Sequence, residues 1–247
     1  MKLDDVKKLH LKRYREELGH FLVEGEHLVL ELQKAALGQP LLQGCELYVT
    51  HHYEHWQSSF RKHLIGASHM SQVADTKNPQ GIVAVVPIPP PSQPRAGERA
   101  IYLSEVQDPG NLGTILRTLA WFGGGRCLLG PGSVDPWNPK VVRASAGAIF
   151  HVPIEIEVPL QSLARRFERI GCLDMQGESI RSAAFAQCGC YVFGNEARGL
   201  PHAELAALGS KAFSIAGSGA IESLNVAACV NMCMYELNRS AAERPHA

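Results

Sequence analysis

Short apolar runs alternate with helical patterns along the second part of the chain. The alternation predicts strands at 101–106, 126–129, 152–156, 172–175, 191–194 and 212–215. It predicts helices at 112–122, 138–148, 159–169 and 222–239, with a further helix starting near Pro201. Such alternation is typical of a mostly parallel sheet covered on both faces. This part is therefore predicted to be an α/β fold that binds ligands beyond the carboxyl ends of its strands.

The first ninety residues have a shorter version of the same pattern. Strands are predicted at 21–24, 47–50 and 82–86, and helices at 4–18, 26–37 and 53–63, which indicates a small α/β sandwich. Prolines then crowd into Pro87–Glu98 (PIPPPSQPRAGE), where neither a helix nor a central strand can continue. We therefore predict a domain over residues 1–90, a Pro-rich linker over 91–98 and a second domain over 99–247.

The charge of the chain is balanced, with 24 Lys and Arg against 24 Asp and Glu. A bulk attraction to phosphates is therefore absent, and any surface for nucleic acid must be a local patch. One basic patch surrounds Tyr14, and a plain solvated helix is the alternative interpretation; its members are Lys7, Lys8, Lys12, Arg13 and Arg15. The helix that carries Arg165, Arg166 and Arg169 allows the same two interpretations.

The cysteines and histidines give information on the redox compartment of the protein and on metal binding. Seven cysteines without paired CxxC spacing argue against a disulfide scaffold and a zinc site, and they favour the reducing cytoplasm. His51 and His55 would bind a metal if they shared a helix face, but a solvated loop is the commoner outcome, so we predict no metal site. No apolar run approaches the roughly 20 residues that span a bilayer, so no membrane partner is expected.

The first loop with candidate functional residues is Gln107–Gly113, which leaves the strand at 101–106. Its turn-forming residues favour a simple connection in which Asn111 is the N-cap of a helix beginning at Leu112. Arg117 follows in an otherwise apolar helix (LGTILRTLAWF), where a guanidinium is costly unless an anion or a carbonyl pairs with it. Arg117 is therefore a candidate for binding a phosphate or orienting a ribose hydroxyl.

The second loop, Gly194–Leu200, follows the apolar strand at 191–194. Gly194 and Gly199 permit a close backbone approach to a ligand or a positive φ. Glu196 lies between them, and it either caps the next helix or belongs to a site.

The third loop, Ile215–Asn225, connects the strand at 212–215 with the last helix. Its small residues, Gly219 among them, leave room for a flat ligand against the backbone. Ser223 and Asn225 supply a hydroxyl and an amide at the start of the helix, and Ser223 could equally be only its N-cap.

Taken together, NLGTILR, FGNEARGL and IESLNVAA resemble the three motifs of the SpoU/TrmH family of RNA ribose 2′-O-methyltransferases, within the SPOUT superfamily. The segments FLVEG, DTKNPQGIVAVV and PKVVRASAGAIFHVP are also similar to family segments, so the resemblance covers nearly the whole chain. It implies an S-adenosylmethionine-dependent enzyme that acts on RNA, ribosomal RNA rather than transfer RNA. It also implies a homodimer, a C-terminal SPOUT trefoil-knot domain and an N-terminal domain like the ribosomal L30e type.

The resemblance also assigns roles to residues. It implies that Arg117 and Asn111 lie beside the target ribose, and that Glu196, Ser223 and Asn225 complete the polar site. Around the methyl donor it implies backbone at Gly194, Ile215 and Leu224, together with Gly199 and Gly219. The chain departs from the family at Ala216-Gly217, where Pro-Met is usual, and at Ala227, where Ser is usual.

Two other functions compete with this one. A relative that binds RNA but has lost its chemistry would keep the same fold, yet Asn111, Arg117, Glu196 and Asn225 are all retained. A Rossmann enzyme would need a GxGxxG loop between a strand and a helix, and neither Gly123-Gly124-Gly125 nor Gly130-Pro131-Gly132 fits that pattern.

Overall fold

A computed structural model describes residues 1–95, 97–195 and 197–242. The chain divides into two compact units, and each is built around its own sheet. The first unit holds Met1–Pro90 together with Asp135–His151. The second holds Pro91–Val134 and the chain from Val152 onward. No helix in the described ranges has the length and apolar character needed to cross a membrane.

Helices and strands alternate along much of the described chain. The helices are α1 (Leu3–Lys8), α2 (Lys12–Leu18), α3 (Glu26–Ala36), α4 (Ala67–Val73), α5 (Pro109–Phe122), α6 (Pro139–Ser145), α7 (Leu163–Arg166), α8 (Ala183–Ala186), α9 (His202–Ala207) and α10 (Val226–Ala242). The strands are β1 (His20–Glu24), β2 (Glu46–Val49), β3 (Arg61–Leu64), β4 (Ile82–Pro87), β5 (Arg99–Leu103), β6 (Gly125–Leu129), β7 (Ile154–Glu155), β8 (Ile170–Ser179), β9 (Cys190–Phe193) and β10 (Lys211–Ser214).

The second unit has the parallel sheet that the sequence predicts. Among the described residues, six strands lie in the order β10-β8-β9-β5-β6-β7, and each neighbouring pair is parallel. Strands β6 (GRCLL) and β9 (CYVF) are fully buried, because helices cover both faces of such a sheet. The carboxyl ends of β5, β9 and β10 therefore lie along one edge, and the three loops of interest begin there.

The first unit has a mixed sheet in the order β1-β4-β2-β3. Strand β4 runs antiparallel to β1 and β2, whereas β2 and β3 are parallel. Helix α6 packs against β1, and the rings of Phe21 and Trp137 lie 4.9 Å apart. Arg15 is 3 % exposed and forms an ion pair with Asp135. A segment far along the chain therefore completes the core of the first unit.

Three predicted helices differ most from the observed structure. The helix at 4–18 is broken into α1 and α2, because buried Leu9 closes the first helix with a bond to Val6. The helix at 53–63 was wrong: the chain forms a 3-10 turn at His51–Tyr53 and then β3, which pairs with β2. The helix at 159–169 is reduced to a 3-10 turn and the short α7, because Phe167 turns into the apolar core.

A buried arginine ties the Pro-rich segment to the second unit. Arg126 in β6 is 1 % exposed, and its Nε donates to Oε2 of Glu98 at 2.9 Å. Its Nη1 donates to the Ser92 carbonyl at 3.0 Å and also binds the carboxylate of Glu155. Residues near both ends of the predicted linker are therefore attached to the sheet.

Candidate active site

Helix α5 begins earlier, within the first loop, than the sequence suggested. Helix α5 starts at Pro109, and Asp108 is its N-cap, with Oδ1 accepting from the Asn111 amide nitrogen at 2.7 Å. The prediction that Asn111 caps a helix beginning at Leu112 was therefore wrong, because proline suits the first helical position and Asp108 suits the cap. The Asn111 side chain is released from capping and can act elsewhere.

The third loop brings Asn225 to Asn111. The Asn225 Nδ2 donates to Oδ1 of Asn111 at 2.8 Å, across 114 residues of sequence. Its own Oδ1 accepts from the backbone nitrogens of Ala227 at 2.9 Å and Ala228 at 3.2 Å. Asn225, and not Ser223, therefore caps α10. Ser223 is exposed and makes no hydrogen bond to the described residues.

The second loop is a tight turn in which glycine is required. A Cβ on Gly194 would lie 2.4 Å from the carbonyl carbon of Gly199, which is closer than real Cβ atoms come to backbone. Asn195 and Gly199 exchange two backbone hydrogen bonds of 3.0 and 2.9 Å, and Gly199 has a φ of +69°. Glu196 was predicted to be functional, and it lies outside the described residues.

The backbone of the second and third loops has open space beside it. A Cβ built on Gly199, Gly217 or Gly219 would meet nothing within 4 Å. Ile215 is half-buried at the end of β10, while Leu224 is exposed. Small residues and an uncovered backbone are what a flat nucleoside needs in order to lie close to the chain. The residues present therefore fit S-adenosylmethionine.

Arg117 is exposed on α5, so it does not have the environment inferred from its apolar neighbours. It forms no hydrogen bond or ion pair with any residue that the structure describes. This exposure removes the cost of burial that suggested an anionic partner, and the role of Arg117 at a phosphate or ribose stays a prediction. Six residues of helix separate it from Asn111 by about 9 Å along the axis and about 240° around it. The described chain thus joins Asn111 with Asn225 but does not bring Arg117 to them.

Helices α5 and α10 run in the same direction, side by side. Their first turns meet through Asn111 and Asn225, and further along Asn231 donates to Oγ1 of Thr118 at 3.4 Å. Trp121, near the end of α5, is 84 % exposed. On α10, Met232 and Tyr235 are also exposed, Tyr235 at 59 %. We call these three side chains, Trp121, Met232 and Tyr235, the α5–α10 surface.

The buried thiols are poor candidates for chemistry. All seven cysteines are free, and burial raises the pKa of Cys127 and of Cys190 to about 12. These thiols therefore stay protonated at neutral pH and are not nucleophiles. His51 and His55 do not share an α-helix, and the described residues contain no cluster of three or more metal-binding side chains.

Comparison with protein families identifies both parts of the chain. The profile of the SpoU rRNA methylase family matches residues 98–235, which is more than half of the 247 residues. The profile of the MRM3-like substrate binding domain matches residues 2–84. The 23S rRNA (guanosine(2553)-2′-O)-methyltransferase RlmP of Bacillus subtilis is 30% identical, over 96% of this chain and 95% of that protein.

Solved structures agree with this assignment. A putative RNA methyltransferase of the TrmH family from Porphyromonas gingivalis has a TM-score of 0.81 and 30% identity, covering 96% of this chain and 97% of that one. An AdoMet-bound rRNA methyltransferase from Sinorhizobium meliloti has a TM-score of 0.79 and 25% identity, covering 96% and 94%. With matching loops, sheet and profile, this chain belongs to the SpoU rRNA methylase family.

Proposed function

We propose that this chain transfers a methyl group from S-adenosylmethionine to a ribose 2′-hydroxyl of ribosomal RNA. The observation that carries the proposal is the 2.8 Å hydrogen bond from Asn225 to Asn111, which joins two of the three family motifs at one edge of the sheet. RlmP, which aligns over nearly its full length, is by name a 2′-O-methyltransferase of 23S rRNA.

The donor supplies a methyl group already activated on a sulfonium, so the protein has to hold it and to orient the attacking oxygen. The residues assigned to holding it are Gly194, Gly199, Ile215, Gly219 and Leu224. The residues assigned to the ribose are Asn111, Arg117, Glu196, Ser223 and Asn225. Correct positioning of two reactants alone contributes about 7–11 kcal/mol toward such a barrier.

Arg117 acts by electrostatics in this proposal. Its pKa exceeds about 12, as for any arginine, so it is a poor base at neutral pH. Its positive charge instead stabilises the negative charge that develops on the 2′-oxygen, while the proton passes to water or to a neighbouring phosphate. A second version, in which a deprotonated Arg117 accepts that proton, makes the same residue essential.

The domain assignments extend the proposal to RNA binding. We assign residues 1–90 to the L30e-like substrate domain, 91–98 to the linker and 99–247 to the catalytic domain with its trefoil knot, from which Asp135–His151 packs with the first unit. The match of the MRM3-like substrate binding domain to residues 2–84 supports the first of these roles. We place the enzyme in the cytoplasm, where its free thiols remain reduced.

The substrate is tested by mapping 2′-O-methyl groups in total RNA from cells with and without this protein, followed by methylation with purified protein. We expect one ribosomal RNA position to depend on it and Asn111→Ala to abolish the modification. Thr114→Ala, an exposed change on the same helix, is the matched control. If a 2′-O-methyl group of transfer RNA is lost instead, the substrate is transfer RNA. RNA binding without methylation would identify an inactive relative.

We also propose that the active protein is a homodimer formed through the α5–α10 surface. Trp121 is 84 % exposed, and an apolar side chain of that size favours burial against another surface. Arg117 lies one helical turn before Trp121 on α5, so it would lie next to the dimer interface.

Trp121→Glu is expected to weaken the dimer by about 30-fold or more, the effect of losing one interface hot spot. Light scattering over a dilution series measures it, and the far-UV circular dichroism of the dissociated protomer should stay unchanged because the residue is exposed. Leu37→Glu is the control, since Leu37 is 88 % exposed in the first unit. A wild type that is monomeric at all concentrations contradicts the proposal.

A further inference from the structure

The side chain of Asn195 is a buried polar group to which the sequence assigned no role. It is 8 % exposed and lies two residues after the end of β9. Its Nδ2 donates to the carbonyl oxygen of Glu105 at 2.6 Å. Its Oδ1 accepts from the backbone nitrogens of Ala197 at 2.8 Å and Arg198 at 2.9 Å. One amide thus bonds to the connection after β5 and to the turn after β9.

The partner of this amide has an unfavourable backbone conformation. Glu105 has a φ of +57°, which is uncommon for a residue other than glycine, asparagine or aspartate. Its carboxylate forms an ion pair with Arg198 of the same turn. Two links, one buried and one exposed, therefore hold Glu105 against the second loop and keep its carbonyl directed at Asn195.

We infer that Asn195 is a positioning residue that fixes the two loops in the conformation that binds the methyl donor. The inference rests on the proposed function, because it takes Gly194 and Gly199 as the donor-binding turn. The chain runs on from Glu105 to Asn111, so the same hydrogen bond also sets the place of the residue assigned to the ribose. The hydrogen bonds of the Asn195 side chain go to backbone atoms, so it acts through the backbone.

The chemistry of the amide explains why asparagine is needed. Asparagine offers a donor and an acceptor on one planar group, and both are used here. Aspartate of the same shape would keep the two accepted bonds but place a negative oxygen against the Glu105 carbonyl. Alanine would leave the Glu105 carbonyl and two backbone nitrogens without these bonds, at a cost.

The test uses the purified full chain and calorimetric titration with S-adenosylmethionine. For Asn195→Asp we expect the Kd to rise about tenfold, the result of one lost hydrogen bond with an unpaired carbonyl. Arg198→Gln removes only the exposed ion pair and should raise the Kd by less, up to about fivefold. Asn78→Asp, an exposed substitution in the first unit, is the matched control and should leave the Kd unchanged.

A second background separates positioning from simple loss of structure. Glu105→Gly removes the penalty of a positive φ, so the connection no longer needs the bond to hold it there. The substitution Asn195→Asp should therefore raise the Kd less in a Glu105→Gly background, which already lacks the ion pair with Arg198, than in the wild-type background. The thermal midpoint of each variant is measured alongside the Kd, which distinguishes an effect on affinity from an effect on stability.

The outcomes are distinct. A Kd unchanged in folded Asn195→Asp overturns the inference while leaving the proposed function intact. An equal rise of the Kd in the wild-type and Glu105→Gly backgrounds also overturns it, since the loss would then be independent of the backbone conformation at residue 105. Absence of donor binding in the wild type overturns the proposed function and the inference with it.

Discussion

Replacing Arg117 with alanine is expected to slow methyl transfer by about 10²–10³-fold, with little change in stability or in donor affinity. The rate loss is the size seen when one group that stabilises developing charge is removed. Stability is spared because the guanidinium is exposed and has no partner among the described residues. Arg117→Lys keeps the charge but loses the planar fork, so it should recover only part of the rate.

Single-turnover methylation with saturating donor and ribosomal RNA measures this effect on the chemical step. Arg181→Ala is the matched control, because Arg181 is also an exposed arginine of the second unit and stands outside the proposed site. Wild-type rates in the lysine variant would contradict both versions of the mechanism. A parallel fall in donor affinity would instead place Arg117 in donor binding.

The environment of an arginine could not be predicted from its neighbours in sequence. Arg117 and Arg126 both lie in apolar stretches, yet Arg117 is exposed and Arg126 is buried. A helix that packs on one side has another side facing solvent, whereas a central parallel strand is covered on both faces. The acids that pair with Arg126 lie 28 and 29 residues away, and no local pattern connects them.

Long-range packing explains the other differences. Arg15 belongs to the basic patch that the sequence suggests for RNA binding, but it is buried against Asp135, 120 residues away. Lys7 and Lys8 pair with nearby Asp4 and Asp5, which leaves less free positive charge on this surface. The parallel sheet was predictable because buried strands leave continuous apolar runs. The bond between Asn111 and Asn225 depends on the tertiary fold, and only the family resemblance grouped these residues in advance.

The second large effect concerns stability, and it follows from the buried position of Arg126. Arg126→Met is expected to lower the free energy of unfolding by about 3–5 kcal/mol, because it leaves buried Glu98 without its positive partner. Arg181→Met, an exposed change, should stay within about 0.5 kcal/mol of the wild type. Urea denaturation at neutral pH measures both, and equal midpoints for the two variants would contradict the prediction.

The pH dependence of the unfolding free energy lost in Arg126→Met identifies the electrostatic contribution to that loss. Burial by itself would raise the pKa of Glu155, but hydrogen bonds from Arg166 and Arg126 and their charges lower the pKa overall, below its usual 4.5. A carboxylate with a lowered pKa adds stability above its unfolded pKa, and that stability is lost as the pH falls through the folded value. The gap between wild type and Arg126→Met should therefore be full at pH 7 and narrow below 4.5. A gap that stays constant into acid would mean that Arg126 stabilises the sheet mainly through its hydrogen bond to the neutral Ser92 carbonyl, with the carboxylates contributing little.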